Sequence, residues 1–168
     1  MNNLLIAMCM ACLTTASAYA GEVKVTWQEP EHFTDIRPSH ETRGGFQERV
    51  TKEFEQMFAN LASKLPDGYR WNVAVTDLDL AGDIRPWFGR TLEEIRLVKD
   101  PYWPRMAFAY ELIDPRGTTV ASGKEDIADM SFLMHASTTT GRSSFPYEER
   151  MLEDWFYAQQ KIKAFPTR

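Results

Sequence analysis

MAFAYELIDPRGTTV, residues 106–120, decides the fold. Met106, Phe108, Tyr110 and Leu112 take every second position, and Ala107, Ala109, Glu111 and Ile113 take the others. A period of two marks a β-strand with one buried face, because successive side chains leave a strand on opposite sides. Asp114-Pro115-Arg116-Gly117 then reverses the chain. Asp suits the first position of such a turn, Pro presets φ at the second, and Gly accepts the left-handed conformation that closes it. Gly117 is therefore expected at positive φ. Thr118 to about Ile127 returns as the partner strand. Strands joined by so tight a turn pair antiparallel, and the sheet they seed is expected to follow.

Outward from this hairpin the pattern alternates between two periods. Ile95, Leu97 and Val98 mark a short strand before it. Upstream of that lies WNVAVTDLDLAGDIRPW, residues 71–87, in which Trp71, Val73 and Val75 share one face. Leu78 and Leu80 lie on the opposite parity, so a bulge or bend near Thr76 or Asp77 must reset the register if both sets are buried. Before this strand, Phe46, Val50, Phe54, Met57, Phe58, Leu61 and Leu65 recur at three- and four-residue steps. They form the apolar stripe of a helix of about five turns, stopped by Pro66-Asp67-Gly68. EVKVTW, residues 22–27, alternates as a first strand, and Pro30, Pro38 and Gly44-Gly45 break the stretch between.

Downstream of the hairpin, Met130, Leu133 and Met134 suit a short helix, and residues 137–144 read as a loop. Pro146 opens a last helix with Glu148 and Glu149 near its positive end. Tyr147, Met151, Leu152, Trp155, Phe156 and Ile162 line one side of it, while its charged residues, Glu148 among them, read as a solvated face. The sum is an α+β fold: an antiparallel sheet of about five strands with two amphipathic helices packed on one face.

The chain has 168 residues, and residues 1–20 read as a secretory signal peptide. Leu4 to Leu13 is an apolar run too short to span a bilayer, and Ala18 and Ala20 form a small-residue cleavage pattern. Cleavage after Ala20 leaves a single domain over residues 21–168 and places it in the periplasm. Both cysteines, Cys9 and Cys12, leave with the signal. The domain then has no thiol for a disulfide, a thiolate-bound metal or nucleophilic catalysis. The net charge is −5, with 19 Lys and Arg scattered among 24 Asp and Glu. A nucleic-acid partner would call for a basic balance or stripe, so that class is set aside. No later segment is apolar enough for a membrane span.

VTDLDLAG at 75–82, PRMAFAYELIDPRG at 104–117 and YEERMLEDWF at 147–156 resemble, in this order, the exported bacterial family catalogued as domain of unknown function 3016. The resemblance covers essentially the whole chain after the signal. It implies an exported, periplasmic, single-domain protein and brings with it no activity, ligand or catalytic residue.

Two groups of residues are candidates for function. Asp77, Asp79 and Asp83 surround Gly82 as in a calcium loop, but Ala81, Arg85 and Phe88 stand where three further ligands would be needed. Asp77 and Asp79 share a strand face, so each carboxylate can shift the other's pKa. The plain alternative is a solvent-facing pair above buried Leu78 and Leu80. The second group is aromatic. RPWFGR at 85–90 and PYWPR at 101–105 place Trp87, Phe88, Tyr102 and Trp103 in loops, where aromatics either cap a core or anchor a partner. In a simple meander the two loops fall at opposite ends of the sheet. PYWPR, stiffened by Pro101 and Pro104, is then the expected contact segment, through Tyr102, Trp103 and Arg105. His32, His40 and His135 have no metal-ligand spacing, and no G-x-S-x-G or phosphate-loop motif occurs. The reading is a cofactor-free periplasmic module that binds an envelope protein or glycan. The alternative is a cofactor-free envelope hydrolase.

Overall fold

A computed structural model describes residues 21–86, 94–134 and 143–168. In chain order the elements are β1 (Glu22–Trp27), a 3-10 turn at Pro30–His32, α1 (Arg43–Ala62), β2 (Arg70–Asp79), β3 (Asp83–Pro86), β4 (Glu94–Leu97), β5 (Arg105–Ile113), β6 (Thr119–Ala128) and α2 (Pro146–Lys161). Four strands form the main sheet in the order β1-β2-β5-β6, and β3 and β4 pair as a separate two-stranded ribbon. The architecture is the α+β arrangement expected.

The hairpin that decides the fold forms as its residues dictate. Asp114 donates its N–H to the Thr118 carbonyl at 2.8 Å and accepts from Gly117 N at 2.9 Å. Its carboxylate takes the Arg116 and Thr118 N–H groups, each at 2.9 Å. Gly117 sits at φ +86°, as the turn requires. In β2 the register shifts between Val75 and Asp77, which carries Leu78 back to the buried face. The parity change in the sequence is therefore a real bulge. Trp71, Val73, Val75 and Leu78 stand opposite Leu112, Tyr110, Phe108 and Met106 of β5. Helix residues close over this face: Phe58 packs edge-on to Trp71 and Phe108, and Trp155 edge-on to Phe108 and Tyr110. The buried indole N–H groups of Trp71 and Trp155 have no oxygen acceptor among the described residues.

Several details depart from the sequence reading. β1 pairs with β2 in parallel, so the sheet is mixed, though mostly antiparallel. A parallel neighbour needs a crossover, and α1 supplies it; the sequence stretch between the two strands left that choice open. The segment at 94–97 does not enter the main sheet. It pairs with β3, which forms where the aromatic loop RPWFGR was expected to begin. β2 and β5 are thus direct neighbours, and the simple meander does not hold. Trp87, Phe88 and His135 lie outside the described residues. α1 starts before Gly44-Gly45 because the Thr42 side chain caps it, accepting from Gly45 N at 3.2 Å. In the segment after β6, Phe132 is the buried residue, while Met130 and Met134 are exposed. Ile162 ends α2 rather than lining its core side, and is exposed. Glu148 is buried, not part of a solvated face.

Candidate functional site

Both helices cover the same side of the sheet. On the other side no helix of the described residues lies over Lys24, Thr26, Asn72, Ala74, Ala109 and Glu111, which line a shallow trough of about 360 Å³. The small alanines leave the trough open between longer polar neighbours. Asp77 and Asp79 belong to this uncovered side, since the bulge turns Leu78 inward between them. Toward the exit of β2 the trough gives way to a network of hydrogen bonds and ion pairs.

The carboxylate of Asp77 accepts from the Thr34 N–H and hydroxyl, both at 2.7 Å, and from Leu78 N at 2.9 Å. It therefore fastens the segment after the 3-10 turn alongside β2. Asp35 in that segment donates its N–H to Leu78 O at 3.1 Å and accepts from Leu80 N at 3.2 Å. Its own buried carboxylate is held by Arg96 at 2.9 Å and Arg37 at 3.2 Å. Arg96 also donates to the carbonyls of Leu80, Gly82 and Arg37. From the first turn of α2, Glu148 reaches in and accepts from Ala81 N at 2.7 Å. Burial raises the pKa of Glu148 and this hydrogen bond opposes the shift.

Asp79 differs from its neighbours. Its carboxyl has no hydrogen-bond partner among the described residues. Its pKa is raised to about 6, chiefly by burial, with the Asp35 and Asp77 charges adding to it. Arg105 is its register partner at the start of β5, and Asp35 forms a bridge with Asp79 from the other side. Arg105 makes a two-pronged contact with Asp126 of β6, which holds the Asp126 carboxyl below its ordinary value.

Asp83 pairs with Arg85 at 2.6 Å. Arg85 in turn donates to the Tyr102 hydroxyl and lies 5.8 Å from the centre of its ring. The Tyr102 carbonyl accepts from Gly82 N at 2.9 Å, so the 98–104 connection is sewn to the exit of β2. Tyr102 and Trp103 are half-buried and Arg105 is exposed. The structure thus brings together two groups that sequence reasoning kept apart. Asp77, Asp79 and Asp83 converge with Tyr102 and Arg105 at one end of the sheet, and Trp103 follows Tyr102 in the same connection.

Each of Asp77 and Asp83 spends its carboxylate on protein donors, and no group of three or more His, Cys, Asp or Glu among the described residues is placed to hold an ion. His32 and His40 are exposed. Sequence reasoning missed Asp35, Arg96, Asp126 and Glu148. Only Glu148 carried a local signal, as an acid in a first helical turn; the others come from distant segments. A larger groove of about 620 Å³ runs between the helices, but Glu53 there is bound by Ser144 and Lys64 by Tyr157. No aromatic side chain among the described residues lines it.

Residues 21–158 match the family model described as protein of unknown function (DUF3016), and the chain belongs to that family. No curated protein matches the chain. A crystal structure of a minor lipoprotein from Acinetobacter baumannii is similar at 8% identity, over 89% of this chain and 98% of that one, with a TM-score of 0.26. At that score the likeness bears on neither fold nor function.

Proposed function

We propose that the protein is an exported binding domain of the bacterial cell envelope, and that it takes a glycan at the end of the sheet where Tyr102 and Trp103 meet Asp79, Arg85 and Arg105. The signal-like residues 1–20 and the family resemblance support export. The observation that carries the site is the convergence itself. Half-exposed aromatics offer flat faces to a sugar ring, while adjacent carboxylates accept from hydroxyls and guanidinium groups donate to ring substituents. No helix among the described residues is long and apolar enough to cross a membrane.

A second reading, an envelope hydrolase, draws on one specific feature. Asp79 is pushed up to about 6 while Asp126, paired with Arg105 opposite Asp79, is held low. Two acids with pKa values driven apart are the usual material of acid–base catalysis.

Co-sedimentation with purified peptidoglycan sacculi separates the readings. The binding domain is expected to sediment with sacculi and release no reducing ends. Trp103→Ala should abolish sedimentation at nearly unchanged melting temperature. If Trp103→Ala instead costs about 3 kcal/mol, as deletion of a core aromatic does, Trp103 is structural and the site is wrong. Release of reducing ends that disappears in Asp79→Asn would favour the hydrolase.

A further inference from the structure

The start of β1 carries a second, independent feature. Gly21 is wedged against the C-terminus of α1: a Cβ added there would lie 2.6 Å from the Ala62 carbonyl oxygen and 2.8 Å from Leu65 Cβ. The first contact is with backbone and cannot be relieved by a rotamer change. Glu22 N donates to Tyr69 O at 2.9 Å, and Glu22 stands opposite Arg70 in the parallel ladder, so the position of Gly21 is fixed from the next residue onward. Bond geometry then puts the Gly21 nitrogen within about 5 Å of the Ala62 oxygen.

That end of the helix lacks a cation. α1 has no basic residue in its last turn. Lys64, the nearest candidate, turns away to donate to the Tyr157 hydroxyl and lies 4.9 Å from that ring centre. A helix C-terminus carries partial negative charge and welcomes a positive group. Ala62 O accepts from Leu65 N at 3.0 Å and retains a lone pair for another donor.

We propose that proteolysis between Ala20 and Gly21 creates a structural group: the new α-ammonium of Gly21 caps the C-terminus of α1. A leader-cleaving protease and one water molecule split the amide. The carboxylate stays on Ala20 and the amine, protonated near neutral pH, stays on Gly21. Removal of the leader and consolidation of the β1–α1 contact are then one event, and the residue after the cut must be glycine because nothing larger fits the wedge. Every strand, helix and core residue described above lies from Gly21 onward.

The test compares four chains by thermal melting: one starting at Gly21, the same chain acetylated on the α-amine, one extended by Ala20, and Gly21→Ala. The free chain should melt highest, with the acetylated chain about 2–4 °C lower and the gap closing in 1 M salt. The Ala20-extended chain should fall with it, and Gly21→Ala further because of the clash. Equal melting of the free and acetylated chains would overturn the cap. So would intact mass of protein recovered from the envelope that begins anywhere but Gly21.

Discussion

Gly117 and Gly82 hold nearly the same backbone conformation, φ +86° and +90°, in different surroundings. A Cβ at Gly117 meets nothing within 4 Å, whereas one at Gly82 would lie 2.7 Å from the Leu97 carbonyl oxygen. Gly117→Ala should therefore cost only the left-handed backbone, about 1 kcal/mol. Gly82→Ala should cost about 3 kcal/mol, because strain and a backbone clash combine. Urea midpoints of the two variants check the order, and equal losses would mean that β4 does not approach Gly82. Asp79 makes a pH-dependent prediction. Its pKa is raised in the fold to about 6, so between about pH 4 and 6 the folded protein holds a proton that the unfolded chain has lost. The stability it contributes is full below about pH 4 and is lost as pH rises through 6. Asp79→Asn should thus stabilise the protein by about 1–2 kcal/mol at pH 7.5, allowing for partial solvation, and should gain nothing at pH 4. Equal effects at both pH values would place the carboxyl in water. Gly117 was legible in the sequence because its turn is written in four adjacent residues. The Asp79 shift was only half legible: Asp77 is two positions away, but the burial and Asp35 arrive with a distant segment.

Elements repeat that division between local and long-range information. The bulge in β2 could be read from the parity switch between Val75 and Leu78, and the amphipathic stripes of α1 and α2 from their period, because each is encoded within one element. The parallel pairing of β1 and the diversion of β3 and β4 into their own ribbon could not be read so. Alternation says which face of a strand is buried and nothing about which strand lies beside it. The ribbon's attachment rests largely on Arg96, whose guanidinium joins the buried Asp35 carboxylate and three carbonyls. Nothing near Arg96 in sequence announces this. Arg96→Ala leaves a buried acid with a single exposed partner, Arg37, and should destabilise by about 2–4 kcal/mol. Arg37→Ala removes a largely exposed arm and should cost less than about 1 kcal/mol. Chemical denaturation of both variants decides it. Similar losses would show that Asp35 is carried by the pair rather than by Arg96.

At the scale of the molecule, these attachments set where the fold opens first. β2 and β5 lie in the middle of the four-stranded sheet and bring Trp71, Val75, Phe108 and Leu112 into one core with Phe58, Trp155 and Phe156. Breaking either strand exposes most of that core, so their amides should exchange only through global unfolding. β1 and β6 are edges with one neighbour each and should fray at their ends. The β3–β4 ribbon adds no strand to the main sheet and is held by the Arg96 knot and the Gly82–Tyr102 hydrogen bond. Its opening exposes little apolar surface, because Leu97 and Val98 are already exposed. Hydrogen exchange read by mass spectrometry on peptides spanning 70–79, 94–98 and 105–113 should give slow, cooperative exchange for the first and last and faster exchange for the middle one. Low denaturant should leave that ordering intact. Since the ribbon and the 98–104 connection frame Tyr102, local opening there would loosen the proposed ligand site while the core stays closed. A ligand bound at Tyr102 and Trp103 should then slow exchange at 94–98 before it alters the central strands. Protection of the ribbon equal to that of β2 in the free protein would mean that it is part of the core unit, and that the site is built on a rigid frame.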